Sequence, residues 1–402
     1  MKSSRTAFLI LILGVMIGCG GGGGSSSPVV VNPILADNAL LITVNGSLCA
    51  GNAFLNKPCV SVTICTPGSA TCQTINDILL DTGSYGLRIF KDVLTNVSLP
   101  QVSVPSGSLA ECIQFADGTS IWGPVKTAKV ILAREPAIEA IPIQVIDSTF
   151  GTNVRPSQCS NSRTSPSDAG YSGILGVGLL AHDCGPDCAN FASNGTYYTC
   201  SGGNCTGTMV TLGNQVQNPV ALLPGQDNNG VIVQLPSVPA GGAPSVNGSL
   251  IFGIGTRSNN MPSGVVTYPA DASGSFNTTL INTNTSYSGF IDTGSNGLFF
   301  STSLPSLPSC SSNASWFCPS STLNLSATNR AATGVPSGTV SFEIANFESL
   351  TLSSNSVFDD IGGSGGVGRF DWGLPFFFGR DVFVGIEGKN NPTLGTGPYW
   401  AY

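Results

Sequence analysis

A short polar segment occurs twice in the sequence and contains residues that could carry out chemistry. Residues 81–87 and 292–298 agree at six of seven positions, and both copies begin with Asp-Thr-Gly-Ser. The first copy begins with Asp81, Thr82, Gly83 and Ser84, and the second with Asp292, Thr293, Gly294 and Ser295. Each copy lies between two apolar runs, a pattern that indicates a strand, a sharp polar turn and a second strand.

The residue types in this turn suit acid–base chemistry. Glycine lets backbone N–H groups approach the aspartate, and the serine hydroxyl can donate to its carboxylate. The threonine of each copy can form a hydrogen bond across to its counterpart. If the copies face each other, Asp81 and Asp292 lie too close for both to ionise, so they share a proton and act together as general base and general acid on a water molecule. A single Asp-Thr-Gly would be weak support, since Asp and Gly are common in turns.

The two matched copies resemble the Asp-Thr-Gly turns of pepsin-like aspartic peptidases, in which each of two lobes contributes one. This resemblance implies a mostly β, bilobal fold with a cleft between two pseudo-symmetric lobes. It makes Asp81 and Asp292 the catalytic pair, implies an extended peptide or protein as substrate, and requires neither a metal nor an organic cofactor. The residues that would orient the pair are Thr82, Gly83, Ser84, Thr293, Gly294 and Ser295.

A hairpin signal follows in residues 115–123, where Asp117-Gly118 separates two apolar pairs. By resemblance this hairpin is the flap that closes over the substrate. Phe115 and Trp122 would cover the peptide, with Asp117 and Gly118 at the turn. The family usually has tyrosine where Phe115 stands, so the hydroxyl is missing here. An ordinary exposed hairpin is the alternative.

Two further segments resemble the elements that pass beneath the catalytic turns of this family. Ile174, Leu175 and Gly176 match the hydrophobic-hydrophobic-Gly pattern of the first support. In the second half the corresponding place is taken by Trp372 and Gly373, preceded by Asp371 where the family has an apolar residue. An acid buried there without a partner would be costly. Either the assignment is off by a residue or two, or the second support differs from that of pepsin.

The N-terminal segment has the features of an export signal. Residues 1–18 contain two basic residues and an apolar run too short to span a bilayer, and we interpret them as a lipoprotein signal peptide. By resemblance to bacterial lipoproteins, Cys19 would carry the lipid, and residues 19–33 would form a Gly/Ser tether to the membrane. The expected location is the outer membrane, facing the periplasm or the exterior. An ordinary signal peptide without lipid is the alternative.

Composition limits the fold and the partners. Charged residues make up only 9% of the 402, while there are 51 Gly and 26 Pro, which favours a turn-rich β protein. The net charge of −7 and the lack of a basic patch argue against nucleic acid as a partner. Pro and Gly near residue 240 suggest an N-terminal lobe at 34–240 and a C-terminal lobe at 241–402. The sequence does not fix the oligomeric state, and a monomer is expected.

The cysteine count agrees with export. Thirteen cysteines are present, and apart from Cys19 the remainder is even, so up to six disulfides are expected in an oxidising compartment. Cys65 with Cys72 and Cys310 with Cys318 are plausible local pairs, while the other connectivity stays open. A less favoured interpretation is a zinc site. Its candidate ligands would be His182, Cys184, Cys188, Cys200 and Cys205.

Other functions have weaker signals. Ser364 lies in a Gly-x-Ser-x-Gly pattern, but the single histidine, His182, precedes it, whereas hydrolases with that motif place histidine last. The main alternative is a non-catalytic cell-surface protein that binds a peptide or a glycan and retains the fold. Phe115, Asp371 and the long segment 181–236 motivate it. Residues 371–380 also resemble an uncharacterised family of bacterial lipoproteins that has no assigned activity.

Overall fold

The computed structural model describes residues 35–51, 53–151 and 155–402. The predicted signal peptide (residues 1–18), Cys19 and the whole predicted Gly/Ser tether (residues 19–33) lie outside these residues. Leu35–Tyr402 forms one compact unit. The predicted mostly β fold is confirmed, since strands dominate and the helices are single turns.

The strands in chain order are β1 (Ala39–Val44), β2 (Pro58–Cys65), β3 (Cys72–Asp81), β4 (Tyr85–Phe90), β5 (Ser103–Val104), β6 (Gly107–Gln114), β7 (Ser120–Ile131), β8 (Ile138–Ile146), β9 (Gly173–Val177), β10 (Tyr197–Ser201), β11 (Asn204–Gly207), β12 (Gly230–Leu235), β13 (Val246–Phe252), β14 (Thr267–Pro269), β15 (Phe276–Leu280), β16 (Thr285–Ile291), β17 (Leu298–Phe300), β18 (Leu323–Arg330), β19 (Ser337–Ile344), β20 (Gly362–Gly363), β21 (Arg369–Trp372), β22 (Arg380–Gly385), β23 (Asn390–Asn391), β24 (Gly395–Thr396) and β25 (Tyr399–Ala401). The α-helical turns are α1 (Pro166–Ala169), α2 (Pro186–Asn190) and α3 (Phe347–Leu350). Short 3₁₀ helices span Lys91–Val93, Ser157–Cys159, Leu212–Asn214, Pro219–Leu222 and Leu374–Phe377.

These strands form two large sheets and one small pair. The first sheet has 16 strands, in the order β11-β10-β6-β7-β8-β4-β9-β3-β2-β1-β13-β12-β22-β25-β14 with β5 beside β6. The second has seven, in the order β19-β18-β15-β16-β21-β17-β20, and β23 pairs with β24. The two Asp-Thr-Gly-Ser turns therefore belong to different sheets.

Each turn is built into the same arrangement of four strands. In the first sheet β3 is parallel to β9, β9 is antiparallel to β4, and β4 is parallel to β8. In the second sheet β16 is parallel to β21, β21 is antiparallel to β17, and β17 is parallel to β20. The sequence repeat is thus also a structural repeat, with the turn between the first and third strand of each unit.

The central strands of the first unit are buried on both faces. In β3 the last five residues, from Asp77 through the apolar Ile78, Leu79 and Leu80 to Asp81, are all buried, as is the whole of β9. Continuous apolar runs of this kind are typical of parallel strands that are covered on both faces. Asp81, at the end of β3, is therefore positioned by two buried strands.

The predicted boundary near residue 240 falls between two paired strands. β12 ends at Leu235, and β13, which begins at Val246, pairs with β12 and also with β1. β22 joins the same sheet by pairing with β12. Because the first sheet contains strands from both sides of residue 240, lobes at 34–240 and 241–402 remain a prediction.

Six disulfides link the cysteines of the described residues. They are Cys49–Cys59, Cys65–Cys72, Cys112–Cys159, Cys184–Cys188, Cys200–Cys205 and Cys310–Cys318. The two predicted local pairs are confirmed. The zinc interpretation is wrong for the four cysteines it used, because they are bonded to each other and offer no thiolate. None of the helices in the part of the chain that the structure describes has the length and apolar character needed to span a bilayer.

Candidate active site

Both aspartates stand at the end of a buried strand. Asp81 is the last residue of β3, and Asp292 follows β16 directly. The backbone N–H of Gly83 donates to Asp81 Oδ1 at 2.8 Å, and that of Gly294 donates to Asp292 Oδ1 at 2.7 Å. These matching contacts place one oxygen of each carboxyl against the backbone of its own turn.

The serine of each turn approaches the second carboxyl oxygen. Ser84 Oγ lies 2.5 Å from Asp81 Oδ2, and Ser295 Oγ lies 2.8 Å from Asp292 Oδ2. A donor of this kind favours the ionised form of a carboxyl group. The turns therefore supply each aspartate with the two contacts that the sequence predicts.

The threonines join the two turns. The N–H of Thr82 donates to Thr293 Oγ1 at 3.0 Å, and the N–H of Thr293 donates to Thr82 Oγ1 at 3.0 Å. Each hydroxyl also donates to a carbonyl of the opposite unit, Thr82 to Ile291 O at 3.0 Å and Thr293 to Leu80 O at 2.7 Å. Both threonines are buried. Four hydrogen bonds thus hold the turns face to face.

The carboxyl groups of Asp81 and Asp292 consequently lie against each other and against the opposing glycines. A Cβ on Gly83 would stand 2.6 Å from Asp292 Cγ, and one on Gly294 would stand 2.9 Å from Asp81 Cγ. Burial raises the pKa of Asp292 well above its usual range, and the charge of Asp81 and a hydrogen bond with it raise this pKa further. A pair of this kind holds one proton over a range in which isolated carboxyl groups would be ionised.

The pair of aspartates is partly accessible to solvent. Asp81 is only 6% exposed, but Gly83 is exposed and Asp292 is partly exposed. The pair is therefore largely buried, with partial exposure at Asp292. The arrangement can polarise a water molecule and exchange protons with it.

The predicted supports pass beneath the turns in equivalent register. Leu80 pairs with Leu175 and Asp81 with Gly176, while Ile291 pairs with Trp372. The absence of a side chain is needed at both glycines. A Cβ on Gly176 would stand 2.7 Å from Tyr85 N, and a Cβ on Gly373 would stand 2.1 Å from Gly297 O.

The register also places the unexpected acid. Leu79 pairs with Ile174 in the first unit, and Phe290 pairs with Asp371 in the second, so Asp371 is the counterpart of Ile174. The sequence assignment was therefore in register, and the second support has an acid where the first has isoleucine. Asp371 Oδ2 lies 2.6 Å from Ser295 Oγ. Burial raises the pKa of Asp371 to about 8, although the contact with Ser295 acts to lower it.

The predicted hairpin is present, formed by β6 and β7. The N–H of Phe115 donates to Thr119 O at 2.9 Å, Asp117 Oδ1 accepts from the N–H and the hydroxyl of Thr119, and Gly118 has a φ of +81°. Phe115 is partly buried and packs against an apolar cluster that includes Ile174. Its proposed contact with a substrate stays a prediction.

Trp122 requires a correction. Its side chain is 0% exposed, its indole N–H donates to Phe150 O at 3.0 Å, and its ring lies edge to face with Tyr198 at 5.6 Å. It pairs across the hairpin with Cys112, which is bonded to Cys159. Trp122 therefore belongs to the packing behind the hairpin and has no surface left for a peptide.

The hairpin is also fastened more firmly than the prediction of a closing flap implied. Besides the Cys112–Cys159 disulfide, Ser120 N–H donates to Asn161 O at 3.2 Å and Arg163 N–H donates to Ser120 O at 2.8 Å. On the other edge, β6 pairs with β10, which lies in the cysteine-rich segment 181–236. The long segment thus extends the sheet beside the hairpin.

Sequence reasoning missed a buried ionic cluster behind the first turn. Arg88 Nη2 lies 3.1 Å from Glu111 Oε1 and 3.0 Å from Asp183 Oδ2, and Arg88 Nη1 donates to Tyr85 O at 2.5 Å. Tyr197 donates to Asp183 Oδ1 at 2.8 Å. Burial and the charge of Glu111 raise the pKa of Asp183. An arginine inside the apolar run of β4 was the available signal.

The serine-hydrolase pattern has no supporting geometry in the described residues. Ser364 N–H donates to Ser315 O at 2.9 Å, and no hydrogen bond joins Ser364 to His182 among the described residues. His182 instead pairs as an isolated bridge with Gln217. A nucleophile and its base would need to be within hydrogen-bonding reach.

The fold and the site together define a mostly β protein in which two Asp-Thr-Gly-Ser turns from separate sheets face each other. The family described as "Protein of unknown function (DUF3443)" matches residues 35–402, and the chain belongs to this family. No curated protein matches the chain. The resemblance to pepsin-like peptidases therefore rests on the motifs.

Proposed function

We propose that this chain is an aspartic endopeptidase of pepsin-like bilobal organisation that hydrolyses an extended peptide or protein. The observation that carries the proposal is the face-to-face pair of Asp81 and Asp292, each with the same backbone and serine contacts. Two matched acids at one accessible place have a use in water activation. A fold built only for packing has no need of them, because burying paired carboxyl groups is costly.

In the proposed reaction one aspartate is ionised and the other carries the shared proton. The ionised carboxylate takes a proton from water as the water oxygen forms a bond to the scissile carbonyl carbon, and the protonated carboxyl donates to the carbonyl oxygen. The carbon–nitrogen bond of the resulting gem-diol then breaks: the departing amine receives the proton that the first aspartate took from water, and one gem-diol hydroxyl returns a proton to the second aspartate, which restores the starting state of the pair. No covalent intermediate with the protein, no metal and no organic cofactor takes part.

The chain's own residues fix the geometry of this step. Thr82 and Thr293 hold the two turns together, and Gly83 and Gly294 leave room for the opposite carboxyl group. We further propose that the protein acts at the bacterial cell envelope, attached through a lipid on Cys19, with substrates outside the cytoplasm. The six disulfides support an oxidising compartment.

The test is cleavage of an unfolded protein and of a mixed peptide library by the full chain, from acid to neutral pH, with and without pepstatin. Asp81→Asn and Asp292→Asn should each lower the rate by roughly 10³-fold or more, because the pair acts as a unit. Asp381→Asn is the matched control, since Asp381 is exposed on β22. Unchanged cleavage in Asp81→Asn would contradict the proposal.

A second candidate is a cell-surface protein that binds a peptide or a glycan without turnover. The anchoring of the hairpin by Cys112–Cys159 and by residues 161–163 favours it, because a flap that closes on a substrate needs freedom to move. Calorimetry with pepstatin and with short peptides separates the two functions. Binding that is lost in Gly83→Ala, with no cleavage by the wild-type chain, would support the binding protein.

A further inference from the structure

The second catalytic turn has a third carboxyl group behind it, and the first does not. Ser295 Oγ lies 2.8 Å from Asp292 Oδ2 and 2.6 Å from Asp371 Oδ2. In the first unit Ser84 contacts Asp81, and the residue equivalent to Asp371 is the buried, apolar Ile174. The hydrogen bonds within the two turns otherwise match, so the difference lies in the series of hydrogen bonds that joins Asp371, Ser295 and Asp292.

A count of protons shows which groups donate and which accept in this series of hydrogen bonds. A serine hydroxyl has one proton to donate, yet Ser295 lies between two carboxyl groups at hydrogen-bonding distance. One of the two carboxyl groups must therefore donate to Ser295. The carboxyl that donates keeps its proton, and the other receives the proton of the serine.

The surroundings of Asp371 identify it as the group that donates. Asp371 is 7% exposed, and its Oδ1 is buried without a hydrogen-bond partner among the described residues. No Lys or Arg of the described residues forms an ion pair with it. The charged groups that act on it from the neighbouring turns are the acids Asp81 and Asp292. An ionised Asp371 would leave a negative charge with no donor at one oxygen, which is costly in a buried place.

We propose that Asp371 is a positioning residue for Asp292: as a neutral carboxylic acid it donates to Ser295, and Ser295 in turn donates to Asp292. The chain runs from Asp371 through Ser295 to Asp292 and makes the two members of the pair unequal. Because hydrogen bonds in a series strengthen one another, Ser295 donates to Asp292 more strongly than it would without Asp371, and Ser84 has no such group behind it. Asp292 is the member that holds the shared proton, and the hydrogen bonds from Asp371 and Ser295 ease the release of this proton, which sets the alkaline limb of the proposed reaction. This role rests on the proposed function.

The sign of one shift tests the proposal. In Asp371→Ile, which copies Ile174, the hydroxyl of Ser295 still donates to Asp292 but is no longer polarised, so Asp292 holds its proton more tightly. The alkaline limb of the cleavage rate should then move to higher pH by roughly 0.3 to 0.7 of a pH unit. If Asp371 were ionised, its removal would take away a negative charge and move the limb to lower pH. A shift to lower pH, or none, overturns the proposal.

Two further variants separate this role from simple packing. Asp371→Asn keeps a neutral donor of the same size, so its limb should stay within roughly 0.2 of a pH unit of the wild type. In a Ser295→Ala background, replacing Asp371 by Ile should no longer move the alkaline limb of the cleavage rate, because the hydroxyl that links Asp371 to Asp292 is already missing. A loss of packing would instead lower the rate by the same factor at every pH in Asp371→Ile, and this result would overturn the proposal.

A measurement that does not depend on cleavage distinguishes failure of this role from failure of the proposed function. Carboxyl ¹³C resonances of aspartate-labelled full chain are titrated in the wild type, Asp371→Ile and Asp371→Asn. The resonance that is present in the wild type and absent from both variants belongs to Asp371, and in the wild type it should report a protonated carboxyl group at neutral pH. The Asp292 resonance should titrate at higher pH in Asp371→Ile. If neither the wild-type protein nor any variant cleaves peptides, these two results still support or overturn the proposed hydrogen bonds from Asp371 to Ser295 and from Ser295 to Asp292.

Discussion

Thr82 and Thr293 hold each other through reciprocal hydrogen bonds, each N–H donating to the hydroxyl of the other at 3.0 Å. Each belongs to a different sheet, and each hydroxyl also donates to a carbonyl of the opposite strand. The relative placement of the two aspartates therefore depends on two buried side chains that are not themselves acids.

Replacing either threonine with valine should both destabilise the chain and slow the proposed reaction. Thr293→Val keeps the shape but removes the hydroxyl that accepts from the N–H of Thr82 and donates to the carbonyl of Leu80. Two lost hydrogen bonds and a buried unsatisfied donor should lower the free energy of unfolding by about 2 to 4 kcal/mol. Chemical denaturation measures this change. Thr293→Ser is the control, because it retains the hydroxyl, and an equal loss in both variants would contradict the argument.

A methyl group on Gly83 should disrupt the acid pair without disturbing the fold. Its Cβ would stand 2.6 Å from Asp292 Cγ, so Gly83→Ala must displace the carboxyl group. The cleavage rate should fall by roughly 10²-fold, as expected when reacting groups are misplaced by about 1 Å. Gly213→Ala is the matched control, since no atom lies within 4 Å of a Cβ there. Equal rates in the two variants would show that the carboxyl groups need not face each other.

The features that could be predicted from the sequence are those determined by short segments. Asp81 and Asp292 with their glycines and serines, and the support at Ile174, follow from motifs whose hydrogen bonds are local or repeated. The direction of a side chain in a long strand depends on which face meets the core, so Trp122 was placed on the wrong side. Cys112 and Cys159 are far apart in the sequence, and their pairing follows only from tertiary packing.

Asp371 shows a different limit. Its position was correct, but a family pattern that expects an apolar residue gives no reason for an acid. The reason is a contact with Ser295, a residue 76 positions earlier, and such a contact leaves no periodic signal. Arg88 is similar, because its partners Glu111 and Asp183 come from other elements.

Arg88 should be essential to stability. It is buried beside Glu111 and Asp183, so Arg88→Met leaves two buried acids without a cation. Removing one partner of a buried ion pair typically costs about 3 to 5 kcal/mol. Arg134→Met is the control, because its ion pair with Asp37 is exposed and should contribute less than about 1 kcal/mol. Similar unfolding midpoints for the two variants would contradict this role.

The stability of the chain should depend on pH through Asp371. In the unfolded chain this carboxyl ionises near its ordinary value of 3.8, whereas burial raises the pKa to about 8 in the folded chain. Between these values the unfolded chain releases a proton that the folded chain keeps, so rising pH favours unfolding. The resulting loss in the free energy of unfolding is absent below the pKa of Asp371 in the unfolded chain. It grows by about 1.4 kcal/mol per pH unit and is complete above the pKa of Asp371 in the folded chain.

Asp371→Asn removes this titration while keeping a side chain of the same size that can donate to Ser295. Its free energy of unfolding should match the wild type within about 1 kcal/mol at acid pH and exceed it by about 4 to 6 kcal/mol above pH 8. Urea denaturation across this range, with Asp381→Asn as the control substitution on exposed β22, measures the difference. A gap between wild type and Asp371→Asn that stays constant with pH would mean that Asp371 is already ionised in the folded chain, because only a group that keeps its proton on folding produces the slope.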